Sequence, residues 1–139
     1  MREKFRVVLD TNILISALLR SPTCSTIMEF LKVRSFSLVS SESLLNEFRE
    51  VLLDKKFTSL TDQEVRNLTI IIKINALIVN PTHKIQACRD PEDNKILEAA
   101  VSSNADFIVT GDKDLLTIKK IKNTIIITPK EFIHKLKSR

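Results

Sequence analysis

Glycine is nearly missing from this 139-residue chain, with Gly111 the only one. A chain so poor in glycine has little room for flexible linkers, and no Gly/Ser/Pro-rich tract, low-complexity run or internal repeat interrupts it. One compact domain over residues 1–139 is the expected organisation, because this length buries a sizeable single core. Cysteine is almost as scarce, with two residues. Cys24 and Cys88 cannot build a disulfide framework or a four-thiolate zinc site, and neither belongs to a C-x-x-C pair. Both read as small, partly buried apolar residues. The two histidines, His83 and His134, stand far apart from each other, and neither belongs to an H-E-x-x-H motif. That pattern disfavours histidine-based zinc or serine-triad chemistry. Tryptophan and tyrosine are absent and seven phenylalanines remain, so a nucleic acid would be held through its phosphates more than by stacked bases. No run approaches the roughly 20 apolar residues that cross a bilayer. Met1-Arg2-Glu3-Lys4 leads into a short strand-like run instead of a signal-peptide core, and a cytoplasmic location is expected.

What remains is ordinary in amount and uneven in placement. Hydrophobic residues at 43% and charged residues at 28% suit a soluble globular fold. The formal net charge of +5 resides in the last part of the chain, where Lys113 to Arg139 carries eight basic residues against Asp114 and Glu131. A basic region beside an acidic cluster elsewhere is what a phosphate-backbone ligand and a metal-held reaction centre would need.

Strand and helix signals alternate along the whole length. Phe5–Leu9, Phe36–Val39, Ala76–Val79, Asp106–Thr110 and Asn123–Ile127 are short apolar runs of strand type. Between them fall helical patterns: Ile13–Leu19, Ser25–Val33, and a stripe of Leu44, Leu45, Phe48, Val51 and Leu52 behind the capping serines at 40, 41 and 43. Thr61-Asp62-Gln63-Glu64 and Thr128-Pro129-Lys130-Glu131 are capping boxes, opening helices to Asn75 and Lys137. Asp90 caps a further helix with Pro91 at its first position and Ile96, Leu97, Ala100 and Val101 on its buried face. This alternation predicts an α/β domain: a five-stranded parallel sheet covered on both faces, a three-layer α/β/α sandwich.

In open parallel sheets, ligands bind beyond the carboxyl ends of the strands where strand order reverses. Asp10 and Asp112 each follow a strand directly; Glu47 lies about one turn into a helix after a strand, and Asp93 in the first turn of the Asp90-capped helix. Carboxylates a few ångströms apart cannot all ionise cheaply unless a cation joins them. Oxygen donors without cysteine or histidine favour Mg2+ or Mn2+, one or two ions, over zinc. Such a site predicts hydrolysis of a phosphodiester by metal-activated water, with no protein nucleophile. Each acid alone also has an ordinary role as a cap or a solvated surface group. An aspartyl-nucleophile phosphatase is a rival, but it wants a second Asp two residues after the first, where Asn12 stands.

Taken jointly, the motifs resemble those of the PIN-domain nucleases. Val7-Val8-Leu9-Asp10-Thr11-Asn12 looks like the opening motif, Ser41 through Glu47 the second, Asp90-Pro91-Glu92-Asp93-Asn94-Lys95-Ile96-Leu97 the third, and Val109-Thr110-Gly111-Asp112-Lys113-Asp114 the fourth. Thr128-Pro129-Lys130-Glu131-Phe132 also fits a prokaryotic branch known as toxins of toxin–antitoxin pairs. The resemblance implies strand order 3-2-1-4-5, which sets Asp10 beside Asp112. It implies Asp10, Glu47, Asp93 and Asp112 as catalytic and metal-binding residues, with Asp93 chosen over Asp90. In some members an acid at the position of Asp114 joins the metal site; otherwise Asp114 caps the short helix around Leu115-Leu116. Asn12, Ser16 and Thr110 are expected to orient carboxylates or water by hydrogen bonds. Lys113, Lys119, Lys120 and Lys122 are the candidate RNA-binding residues. RNA as substrate, a homodimer and an antitoxin partner are implied by the resemblance alone. A non-catalytic scaffold that binds RNA or a protein is the alternative, with retention of all four acids against it.

Overall fold

The computed structural model describes residues 4–54, 60–82, 84–88 and 90–138; His83 and Arg139, considered above, lie outside them. The chain begins with β1 (Arg6–Leu9), whose Val7 and Val8 are fully buried. Asp10 caps the next helix by accepting from the Asn12 N–H, so α1 (Thr11–Leu18) starts two residues ahead of the Ile13 expected from the apolar run. Helix α2 (Pro22–Lys32) likewise starts ahead of Ser25, because Pro22 occupies a first-turn position where a missing N–H costs nothing. Then come β2 (Ser37–Ser41) and α3 (Glu42–Leu53), the latter capped by Ser41 Oγ accepting from Leu44 N–H. Helix α4 (Asp62–Asn75) opens on its capping box and runs directly into β3 (Ala76–Val79). After α5 (Pro91–Ser103) follow β4 (Phe107–Val109), α6 (Lys113–Ile118), β5 (Lys120–Ile121), β6 (Thr124–Ile127) and α7 (Pro129–Lys137).

Among the described residues the sheet has six strands in the order β3-β2-β1-β4-β6-β5. Its five longer strands are parallel and keep the expected 3-2-1-4-5 sequence. The sixth, β5, pairs antiparallel with β6 at the sheet edge. It corrects the expectation of five strands: a two-residue strand is too short to show alternation, and its tight turn depends on Lys122 at φ 52°. Helices cover both faces, as the side-chain alternation demands. Val7 and Leu9 point into one core layer with Ile27, Leu31, Phe36, Phe107 and Phe132. Val8 points into the other with Val39, Leu97, Ala100, Ile108 and Leu115. On the first face Phe132 of α7 packs edge-to-face on Phe36, with ring centroids 5.0 Å apart. Among the described residues no helix is long and apolar enough to cross a membrane.

Candidate active site

Strand order reverses between β1 and β4, the two central strands, because the chain builds outward from β1 in one direction and then returns to its other side. At the carboxyl ends of this pair the backbone is tied together. Asp10 N–H donates to Val109 O at 3.0 Å, and Thr110 N–H donates to Ile127 O at 3.0 Å. Asp10 and Thr110 therefore sit side by side, both buried.

Asp10 is only 6% exposed. Its Oδ2 accepts a 2.7 Å hydrogen bond from Thr110 Oγ1, and its Oδ1 accepts from Asn12 N–H at 3.1 Å. Burial pushes its carboxyl above the usual range; these two donors pull the other way, and the charge of Asp112 adds to the rise. Thr110 Oγ1 in turn accepts from Asp112 N–H at 3.0 Å, so one hydroxyl fixes an acid on β1 and the loop that carries the next acid. Asp112 is half-buried and caps α6 through its Oδ1, which accepts from Asp114 N–H at 2.8 Å. Gly111 is exposed, and a Cβ there would meet nothing within 4 Å.

Asp93, 8% exposed, reaches the same place from the first turn of α5. Its carboxyl is pushed up to about 7 by burial, by a hydrogen bond with Asp112, and by the charges of Asp112, Asp90 and Asp10. Asp10, Asp93 and Asp112 thus form one electrostatic cluster. Glu47 lies in α3 with its Oε2 buried. Asp114 is exposed in the first turn of α6, its backbone N–H serving Asp112.

The supporting residues divide. Thr110 orients Asp10 with its side chain, whereas Asn12 does so through its backbone while its side chain is exposed. Ser16 is half-buried one turn further along α1, and its carbonyl accepts from Ser21 N–H at 2.9 Å. Lys113 flanks Asp112 as the first residue of α6. Lys119, Lys120 and Lys122 are not brought to the acids. Lys120 pairs with Ile125, which pairs with Phe107 at the start of β4, and Lys122 lies in the turn before β6. They occupy the edge and the opposite end of the sheet.

Two further residues stand near the cluster without a site role assigned from the sequence. Asn94, 8% exposed, follows Asp93 directly. Cys88 is half-buried, and its thiol is held above its usual range by burial and by the charges of Asp93, Asp112, Asp114 and Asp90. The available signal was an asparagine, a poor helix former, kept in the first turn of an otherwise apolar-faced helix.

Among the described residues no three Asp, Glu, His or Cys side chains form a ready-made metal-binding group. The donor chemistry nonetheless fits a hard cation: Asp10, Asp93 and Asp112 offer oxygen only, and their mutual repulsion raises the affinity of the cluster for positive charge. The hydrogen bond between Asp93 and Asp112 meets part of that demand.

Residues 6–114 match the family model described as PIN domain. The chain is 35% identical over 141 residues to the uncharacterized protein MJ1680 of Methanocaldococcus jannaschii, covering 94% of this chain and 90% of that protein. Two solved structures share the fold. PAE2754 from Pyrobaculum aerophilum gives a TM-score of 0.64 at 16% identity, covering 97% of this chain and 91% of that one. A chain in the crystal structure of VapBC2 from Rickettsia felis, bound to a DNA fragment from their promoter, gives 0.59 at 20% identity, covering 88% and 98%.

Proposed function

This chain belongs to the PIN-domain family, and from that premise we propose that it is a metal-dependent ribonuclease acting as the toxin of a toxin–antitoxin pair. The observation that carries the reading is the convergence of Asp10, Asp93 and Asp112 at the switch point between β1 and β4, with Asp93 pushed up to about 7 by its neighbours. PIN domains are generally nucleases that use divalent ions. Asp10, Asp93 and Asp112 would hold Mg2+ or Mn2+, with Glu47 and Asp114 completing the donor set. When bound, such an ion offsets the charge of a phosphodiester and makes water a usable nucleophile near neutral pH.

The chain's own residues do the rest. Thr110 and the Asn12 N–H hold Asp10 in one orientation, so its lone pairs need no reordering when a cation arrives. Lys113 follows Asp112 in the chain and is exposed, which supports a role in meeting a phosphate of the incoming strand. The exposed, uncrowded backbone at Gly111 supports access of an extended single strand. A cytoplasmic setting, a homodimer and an antitoxin partner complete the reading. Exposed apolar side chains on α4 and the edge strand β3 (Ile70, Ile74, Leu77 and Ile78) support a protein partner.

The test is cleavage of single-stranded RNA with Mg2+ or Mn2+, with chelator, and with Asp10→Asn. Chelation should abolish cleavage, and Asp10→Asn should reduce it by at least about a hundred-fold while the far-UV spectrum is kept. Retention of RNA without cleavage at any metal concentration would instead identify a binding module.

A further inference from the structure

The segment 84–88 crosses the side of α5 without joining the sheet, and two α5 side chains one turn apart hold its backbone. Glu98 Oε2 accepts from Ile85 N–H at 2.8 Å. Asn94 Oδ1 accepts from Cys88 N–H at 2.9 Å, and Asn94 Nδ2 reaches Cys88 O at 3.5 Å. Asn94 thus presents its amide to one residue's N–H and C=O together, as a neighbouring strand would. An irregular segment without sheet partners must find such bonds elsewhere.

The two contacts differ in where they act. Ile85 lies toward the later turns of α5, beside Asn80, Thr82 and Val101. Cys88 lies at the first turn, within the field of Asp93 and Asp112. Asn94 is buried next to Asp93, so its side chain joins the end of the segment to the turn that aims the acid.

We propose that Asn94 is a positioning residue for the acidic site: by clamping the Cys88 backbone to the first turn of α5, it makes residues 84–88 a fixed wall beside Asp93. The proposal rests on the reading of that site as the reaction centre. Without the clamp the wall lifts, water reaches Asp93, and the carboxyl is no longer aimed. Glu98 anchors the far end of the same segment and serves stability alone.

Cys88 reports on the wall directly. In a Cys24→Ser background every thiol signal belongs to Cys88. There, Asn94→Ala should speed modification by a small disulfide reagent by on the order of ten-fold through local opening. The same substitution, with native cysteines, should lower kcat on RNA by on the order of ten-fold with KM little changed, because aim and not substrate binding is lost. Glu98→Ala should leave both rates within about two-fold, since it removes a bond of similar kind one turn away. Hydrogen exchange of the unaltered protein gives a test that needs no variant: the Cys88 amide should be protected. An unprotected Cys88 amide, or unchanged thiol reactivity in Asn94→Ala, overturns the clamp. Faster thiol reaction with unchanged kcat, or equal losses of kcat in Asn94→Ala and Glu98→Ala, overturns the positioning role. Absence of cleavage by the parent protein with either metal defeats the nuclease reading itself, and the exchange and thiol results still decide the clamp.

Discussion

Asp93 concentrates the chemistry of this protein into one titration. In the unfolded chain it ionises near 3.8, and in the fold at about 7. Between those values the folded state keeps a proton that the unfolded chain has lost. The contribution of this group to the stability of the metal-free protein is therefore fully present below this window and is lost as pH rises through it. Asp93→Asn should remove that dependence and raise the metal-free melting temperature at pH 8 by on the order of 5 °C. Thermal unfolding followed by circular dichroism between pH 5 and 8 checks this, and a variant no more stable than its parent at pH 8 contradicts it. At the same scale, sequence motifs named Asp10, Glu47, Asp93 and Asp112, and of these Asp10, Asp93 and Asp112 lie within one another's electrostatic reach. They did not reveal Asn94, because its partner is the backbone of Cys88, and a contact with backbone leaves no residue-type signature at the other end.

Elements were legible where local chemistry decides them. Both expected capping boxes form: Thr61 with Glu64, and Thr128 with Glu131. Each pairs an oxygen acceptor for an orphan helix N–H with a carboxylate three residues on, an arrangement that needs no tertiary help. The Thr128 N–H and hydroxyl hold the Glu131 carboxyl below its usual range, so this cap contributes stability at neutral pH that is lost as pH falls through the carboxylate range. Thr128→Ala should cost about 1 kcal/mol, seen as a melting temperature lower by about 4 °C, with cleavage nearly unchanged. A cleavage loss as large as that of Asp10→Asn would show that α7 does more than pack Phe132 into the core. Strand β5 was not legible, because its two residues form only when the edge of β6 is available and Lys122 takes a left-handed turn.

For the molecule as a whole, charge and chemistry are arranged by the sheet. Acids gather at the carboxyl ends of β1 and β4, while Lys119, Lys120 and Lys122 lie at the edge and the opposite end. Although these lysines follow Asp112 closely along the chain, the β5–β6 hairpin carries them to the sheet edge. Lys113→Ala should therefore weaken RNA binding by about three- to ten-fold and flatten its salt dependence by close to one counterion. The pair Lys120→Ala and Lys122→Ala should change the affinity of a short oligonucleotide by less than about two-fold. Fluorescence anisotropy at several salt concentrations distinguishes them. A larger loss from the hairpin pair would show that the strand runs along the sheet edge.

By itself the sequence determined the alternation of strands and helices, the caps, and which acids follow which strands, since all of these depend on spacing and on neighbours within a few residues. Only the tertiary structure decided that Asp10, Thr110 and Asp112 share one hydroxyl, although positions 10 and 110 are far apart in the chain. It likewise decided that Asp93 is pushed up to about 7, that Glu47 has a buried oxygen, and that three lysines stand apart from the site. The physical reason is the same in each case. Burial, electrostatic coupling and long-range hydrogen bonds depend on distances through space, and chain spacing constrains those distances only after the sheet has chosen its order.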